Sequence, residues 1–471
     1  MFPFYQSRTI FVVVVGSLVT ISLVAAAGFY FLENKKAEEA IKEQQVANEE
    51  MQKYIRNGSV LPGGQQPNFG STGDGTSSDG SSGTLGTDGL PYTLPEATDW
   101  TEVGSGTDTL TDDLLTDPDS DTDTDSETDS NRLTVKGDKL YDPSGHQVTL
   151  RGFNWGWWGT AQEQDGAANK DQGATAVRMP IRWYFEGTKN DIRETGGTCN
   201  ISADGLKAID ANIAWATKEH LWVVLFMGSD LGAGNSDDNY WTNPELKAEF
   251  KATWLCLAQR YKNVPYIAAY EILSEPHPKK SYTNNDPEGA VKAFYEEMIQ
   301  AIRTVDEDTP LMIGPNDHYE ILQLPGLYTT VDKKIIYTFN FYYPAEYVKE
   351  TKDGSGHTYR YPGSLTLKDG QVVTNDKAYL EDMLKNGTDF RDDHDVPIFI
   401  NQVGIASDVP DAKAYITDTL DLFESYGIGF AYWTYRVRGT INDMGIYYQD
   451  PKTNVWSVKS DWLTLISDYF D

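Results

Sequence analysis

The chain has 471 residues, a formal net charge of −32 and an aromatic content of 12%. That charge argues against nucleic acid or an anionic membrane surface as the main partner, since both carry the same sign. Two cysteines exclude a disulfide framework, and six histidines without HxH or HExxH spacing give no metal signal, so no metal or cofactor is expected.

Residues 1–9 read as a cytoplasmic tail. Ile10 to Leu32 is apolar and uncharged, and a bilayer takes about 20 such residues. A cleaved secretory signal competes with this reading, because Ala25, Ala26 and Ala27 offer small residues for cleavage. The apolar run continues through Phe29 to Leu32, which favours a signal-anchor. The bulk of the chain is then expected outside the cytoplasm, extracellular or periplasmic. Residues 33–56, rich in Glu, Lys, Ala and Gln, read as a helical stalk. Residues 57–131 are mostly Gly, Ser, Thr and Asp, too poor in large apolar groups to offset the entropy of folding, and read as a disordered acidic linker. No Lys or Arg occurs between Arg56 and Arg132, so much of the negative charge belongs to this linker.

From residue 132 to 471, apolar strand-like runs alternate with amphipathic stretches, the pattern of parallel βαβ units. Strand candidates are Thr149 to Trp155, Ala174 to Met179, Leu221 to Phe226, Ile267 to Leu273, Leu311 to Ile313, Ile335 to Phe341, Ile398 to Ile400 and Ile428 to Trp433. Helices fit between them, for example Asp204 to Lys218, Pro244 to Tyr261, Glu288 to Val305 and Pro410 to Tyr426. Eight such pairs predict an α/β (β/α)8 TIM barrel, whose chemistry sits at the carboxyl ends of the strands. Cys256 lies in a helical stretch and reads as a small buried hydrophobe; Cys199 falls in a Gly-rich loop.

Five strand segments carry the chemistry. AYEILSEPHP, Ala269 to Pro278, places Glu275 where a strand gives way to a loop. PIFINQVG, Pro397 to Gly404, ends on Gln402. YTFNFYYP, Tyr337 to Pro344, carries Asn340 and Tyr342, and GFAYWTY, Gly429 to Tyr435, carries Trp433. Upstream, ATAVRMPIRW, Ala174 to Trp183, carries Arg178. A lone Glu before Pro is commonly a solvated loop acid; its company in the other strands argues otherwise.

These motifs resemble glycoside hydrolase family 5, the cellulase-like retaining glycosidases, along the whole barrel segment. The resemblance implies that Glu275, in Ser274-Glu275-Pro276, is the acid/base. It also implies that Gln402 stands at the nucleophile position, where the family has Glu. Arg178 matches the nucleophile's partner and Trp433 the sugar platform. Ser274 replaces the Asn that meets the sugar 2-hydroxyl, Asn340 replaces a usual His, Tyr342 is kept, and Phe226-Met227-Gly228 replaces an Asp-x-His-Gly. A retaining mechanism needs two carboxyls about 5 Å apart; a neutral amide is a very poor nucleophile.

The expected function is a membrane-anchored, cellulase-like barrel that binds a β-linked polysaccharide with little or no hydrolysis, as a sensor, a scaffold or a subunit of a polysaccharide-handling complex. Stacking on aromatic faces holds sugars. Trp155 and Trp433 are the expected platforms, from a set that also holds Trp157, Trp158, Trp183, Tyr342 and Tyr343. Arg178 is expected to pair with Glu271, the alternative being that it stands free to meet an anionic sugar. One alternative is an active endo-β-glycanase with Glu275 as acid and a relocated base or nucleophile at Asp230, Asp317 or Asp443. Another is a non-catalytic protein-interaction module whose insertion, Glu346 to Asp376, lids the cleft.

Overall fold

In the computed structural model the chain divides into two units, residues 1–81 and 82–471. The described residues are 132–470, without 157, 186–190, 234–238, 349–358 and 440–443. The expected membrane span, stalk and acidic linker lie outside them, as do Trp157 and Asp443. Among the described residues, no helix is long and apolar enough to cross a membrane.

Eight parallel strands close into a barrel: β1 Arg151–Asn154, β2 Ala176–Tyr184, β3 Trp222–Ser229, β4 Ile267–Glu271, β5 Leu311–Ile313, β6 Ile335–Phe341, β7 Ile398–Val403 and β8 Gly429–Tyr432. All eight expected strands form. The longer helices are α1 Gln164–Asp171, α2 Ala203–Thr217, α3 Pro244–Tyr261, α4 Pro287–Ile302, α5 Lys377–His394, α6 Ala412–Ser425 and α7 Ser460–Ser467. Their starts are chemically marked. Ser202, Asn243, Asp286 and Asp376 each accept a backbone N–H of the first turn of α2, α3, α4 and α5, and proline follows the cap in α3 and α4.

The strand period of two sorts the side chains into layers. Ala176, Val224, Ala269, Met312, Ile336, Phe399 and Ala431 form one apolar cluster, which Leu133 and Leu140 of the preceding β-hairpin join. Two residues further along their strands come Arg178, Glu271 and Thr338, and one more pair-step along β6 comes Asn340. The barrel thus changes from apolar to polar toward the strands' carboxyl ends. Outward-facing neighbours such as Val177, Val223, Tyr270 and Phe339 belong to the larger core shared with the helices.

The structure corrects the reading of the cysteines. Cys199 and Cys256 form a disulfide with their Cα atoms 5.1 Å apart. The turn Thr198–Asn200 lies directly against α3, where Asn200 also donates to Thr253 at 3.2 Å. The pairing is tertiary, across 57 residues, and neither the helical pattern around Cys256 nor the loop around Cys199 signals it.

Candidate active site

Glu275 owes its position to a pinned loop. After β4, the Ile272 carbonyl accepts from Trp254 at 2.8 Å, and the Leu273 carbonyl accepts from the Tyr295 and Tyr319 hydroxyls at 2.7 and 2.6 Å. Ser274 N–H donates to the Met227 carbonyl at the end of β3, at 2.8 Å. Glu275 then turns back with φ +53°. A left-handed non-glycine residue costs of order 1–3 kcal/mol and persists only where its surroundings over-determine it. The result is a half-buried carboxylate aimed across the mouth.

Gln402 reaches the same place by an irregularity in β7. The pairing register shifts between Ile400 and Gln402 against β6, and between Ile400 and Val403 against β8. A bulge re-aims side chains, and here two successive polar residues, Asn401 and Gln402, both serve the interior. Gln402 Nε2 donates to Glu275 Oε1 at 3.0 Å, and Asn340 Nδ2 donates to the same oxygen at 2.6 Å. The Tyr342 hydroxyl donates to Gln402 Oε1 at 3.1 Å, which sets the amide's orientation. Burial, and then the Glu275 charge, push the Tyr342 hydroxyl well above the ordinary tyrosine value, so it stays a donor.

Beneath this pair lies a buried charged layer. Arg178 is fully buried and donates to both Glu271 oxygens at 2.6 Å, the pairing expected from sequence. Its remaining N–H groups reach Asn154 Oδ1 at 2.8 Å and Ser274 Oγ at 3.0 Å, and its guanidinium lies 3.7 Å from the centre of the Phe226 ring. The Tyr319 hydroxyl, whose one proton goes to the Leu273 carbonyl or is shared with Glu271, lies 3.1 Å from Glu271 Oε1. Arg178 therefore acts on the mouth through Ser274 and the acid loop. Asn154, Asn401 and Tyr319 were not singled out from sequence. The available signal for the first two was an Asn ending, or standing within, an otherwise apolar strand; for Tyr319 there was none.

Of the two expected aromatic platforms, the structure keeps one at the mouth. Trp433 is half-buried at the end of β8, its N–H bonded to the Val403 carbonyl at 2.7 Å. Its ring lies over Gly156, where a Cβ would come within 2.1 Å of the ring. Trp155 is corrected: it is 2% exposed, and its indole N–H is bound to Asn169 at 3.0 Å, so it packs the core. Trp158 and Trp183 are core residues as well.

Of the alternative positions for a base or nucleophile, Asp443 lies outside the described residues. Asp317 lines a cleft with His277, Asn316 and Glu288, to which neither Glu275 nor Gln402 contributes. Asp230 stands near Arg182; burial holds that guanidinium below its ordinary value, and Asp230 and Asp191 oppose the shift. The insertion expected as a lid is folded on α6 where it is described. Its hairpin pairs Gly363–Thr366 with Val372–Asn375, and Arg360 bonds Asp411 at 2.6 Å.

A family model, Cellulase (glycosyl hydrolase family 5), matches residues 141–439. Endoglucanase C of Acetivibrio thermocellus is 26% identical over 315 residues, covering 62% of this chain and 87% of that protein. The Clostridial cellulose synthase subunit Z of Clostridioides difficile shares the fold with a TM-score of 0.53 at 21% identity, over 68% of this chain and 99% of that one. So does Cel5A of Thermotoga maritima, solved in complex with mannotriose, at a TM-score of 0.50 and 22% identity over 68% and 97%. With an eight-stranded barrel, a Glu at the end of β4 and a family match across most of that barrel, the chain belongs to glycosyl hydrolase family 5.

Proposed function

We propose that this barrel binds a β-linked polysaccharide of the glucan or mannan type and hydrolyses it little or not at all. One observation carries the reading: among the described residues, the side-chain donors to Glu275 are two amide nitrogens, one of them from Gln402, where the retaining mechanism needs a carboxylate. The Gln402 amide is a very poor nucleophile toward the anomeric carbon and, being neutral, does not balance the charge of an oxocarbenium ion. What remains suits recognition. Trp433 offers a ring face, and Glu275, Gln402, Asn340 and Tyr342 offer donors and acceptors for hydroxyls.

The names of the relatives, an endoglucanase and a cellulose synthase subunit, and the mannotriose complex supply the ligand class. The apolar segment from Ile10 to Leu32 supports an anchored protein with this domain outside the cytoplasm, serving as a sensor or scaffold. The test is calorimetric titration of the full chain with soluble β-glucans and mannans, paired with reducing-sugar release from the same ligands. Binding without release is expected. Release that disappears in Glu275→Ala overturns the reading in favour of an active endo-β-glycanase with a relocated base.

A further inference from the structure

The face of the barrel that carries Glu275 also holds two clefts that the mouth does not use. The inner one, about 500 Å³, begins at His277, whose Nδ1 lies 2.7 Å from the Glu275 carbonyl oxygen, and runs to the start of α4. The outer one, about 410 Å³, lies between α3 and α4. Both fall within the roughly 300–1,000 Å³ of small-molecule sites. The loop 279–286 is their common wall: Lys280 and Asn285 face the inner cleft, Tyr282 and Asn284 the outer, and Asp286 lines both. A linear ligand leaving the mouth past His277 thus meets a second concave surface one loop away.

The outer cleft has the composition that a sugar chain requires. Trp241 is half-buried, with its indole N–H tied to the Gly232 carbonyl at 3.2 Å and its ring 5.3 Å from Phe294, so its plane is fixed before any ligand arrives. Tyr282 supplies a second ring to the lining. The charges beside them cancel only as a set of four: Glu297 bonds Lys247 at 2.7 Å and Lys251 at 2.9 Å, and Asp286 adds a second carboxylate to the lining. A self-neutralised set beside flat rings selects against an isolated anion or cation. It suits a neutral polyhydroxyl ligand, which stacks its C–H faces on the rings and bridges donor and acceptor with its hydroxyls.

We propose that the outer cleft binds the continuation of the same β-linked glycan that fills the mouth, with Trp241 as its platform. This rests on the mouth being a glycan site. Full-chain protein is titrated with cello- and manno-oligosaccharides of three and six units, unaltered and as Trp241→Ala, Tyr282→Ala and Asn284→Gly. The last changes an exposed side chain at φ +52°, a conformation glycine adopts freely, and guards against misfolding of the first. The expected result is a loss of about tenfold in affinity for the hexasaccharide on losing a ring, a smaller loss in Asn284→Gly, and no change for the trisaccharide. Equal losses at both lengths, no loss at either, or two independent trisaccharides bound per chain overturns the inference and leaves the mouth reading intact. Absence of binding at every length in the unaltered protein overturns both.

Discussion

The Arg178–Glu271 pair offers the sharpest energetic test, because every contact of the carboxylate is defined. Glu271 and Arg178 have fully buried side chains, and the two bonds between them are both 2.6 Å long. Glu271→Gln keeps the volume but turns one acceptor oxygen into an NH2 that faces an Arg178 N–H, donor against donor. It also leaves a buried guanidinium without its counter-charge. Removing one partner of a buried ion pair costs about 3–5 kcal/mol, whereas replacing both by apolar groups of similar size is often close to neutral. The expected loss for Glu271→Gln is therefore about 3–5 kcal/mol by urea or guanidinium denaturation. Arg178→Met combined with Glu271→Met should cost at least about 2 kcal/mol less than the sum of the two single changes. A loss under about 1 kcal/mol for Glu271→Gln, or simple additivity in the double variant, would refute the assignment of this pair as the charged floor of the mouth.

Reduction of the disulfide, or Cys199→Ala with Cys256→Ala, should lower stability by about 4 kcal/mol, the loop-closure value for the 57-residue separation; an unchanged denaturation midpoint would remove it as a structural element. The Lys247 hydrogen bond, aided by Lys251, holds the Glu297 carboxyl below its ordinary value. The folded state then binds fewer protons than the unfolded one near that value. The stability contributed is full above the ordinary carboxylate range and is lost as pH falls through the lower folded-state value. Because all three side chains are about a third exposed, the effect should stay below about 1 kcal/mol. Glu297→Gln should accordingly match the unaltered chain in acid and fall slightly behind it at neutral pH; the opposite ordering contradicts the assignment.

The barrel was legible from sequence because most strands are apolar runs ending in polar residues and several are followed by a capped, amphipathic helix. Leu311–Ile313 was found at its observed bounds, although it is only three residues long, because the run is wholly apolar. Glu275, Gln402 and Trp433 could be placed from motifs alone, since strand ends of a barrel converge. Trp155 could not, because a tryptophan at a strand end reads the same whether its ring turns to the mouth or to Asn169 in the core. Asn401 escaped notice for a related reason: strict alternation gives it and Gln402 opposite faces, and only the bulge in β7 brings both inward. The disulfide depends on a contact between a turn and a helix that no local pattern encodes.

The central claim is that chemistry stops at position 402, and an activated substrate tests it most directly. A dinitrophenyl β-cellobioside or β-mannobioside has a leaving group that needs no protonation, so its turnover depends on the nucleophile and hardly on the acid. The account predicts that the unaltered full chain leaves this substrate at the buffer rate, while Gln402→Glu, which returns a carboxylate beside Glu275, exceeds it. Catalytic release of dinitrophenolate by the unaltered chain would contradict the account and show that another group on the barrel attacks the sugar.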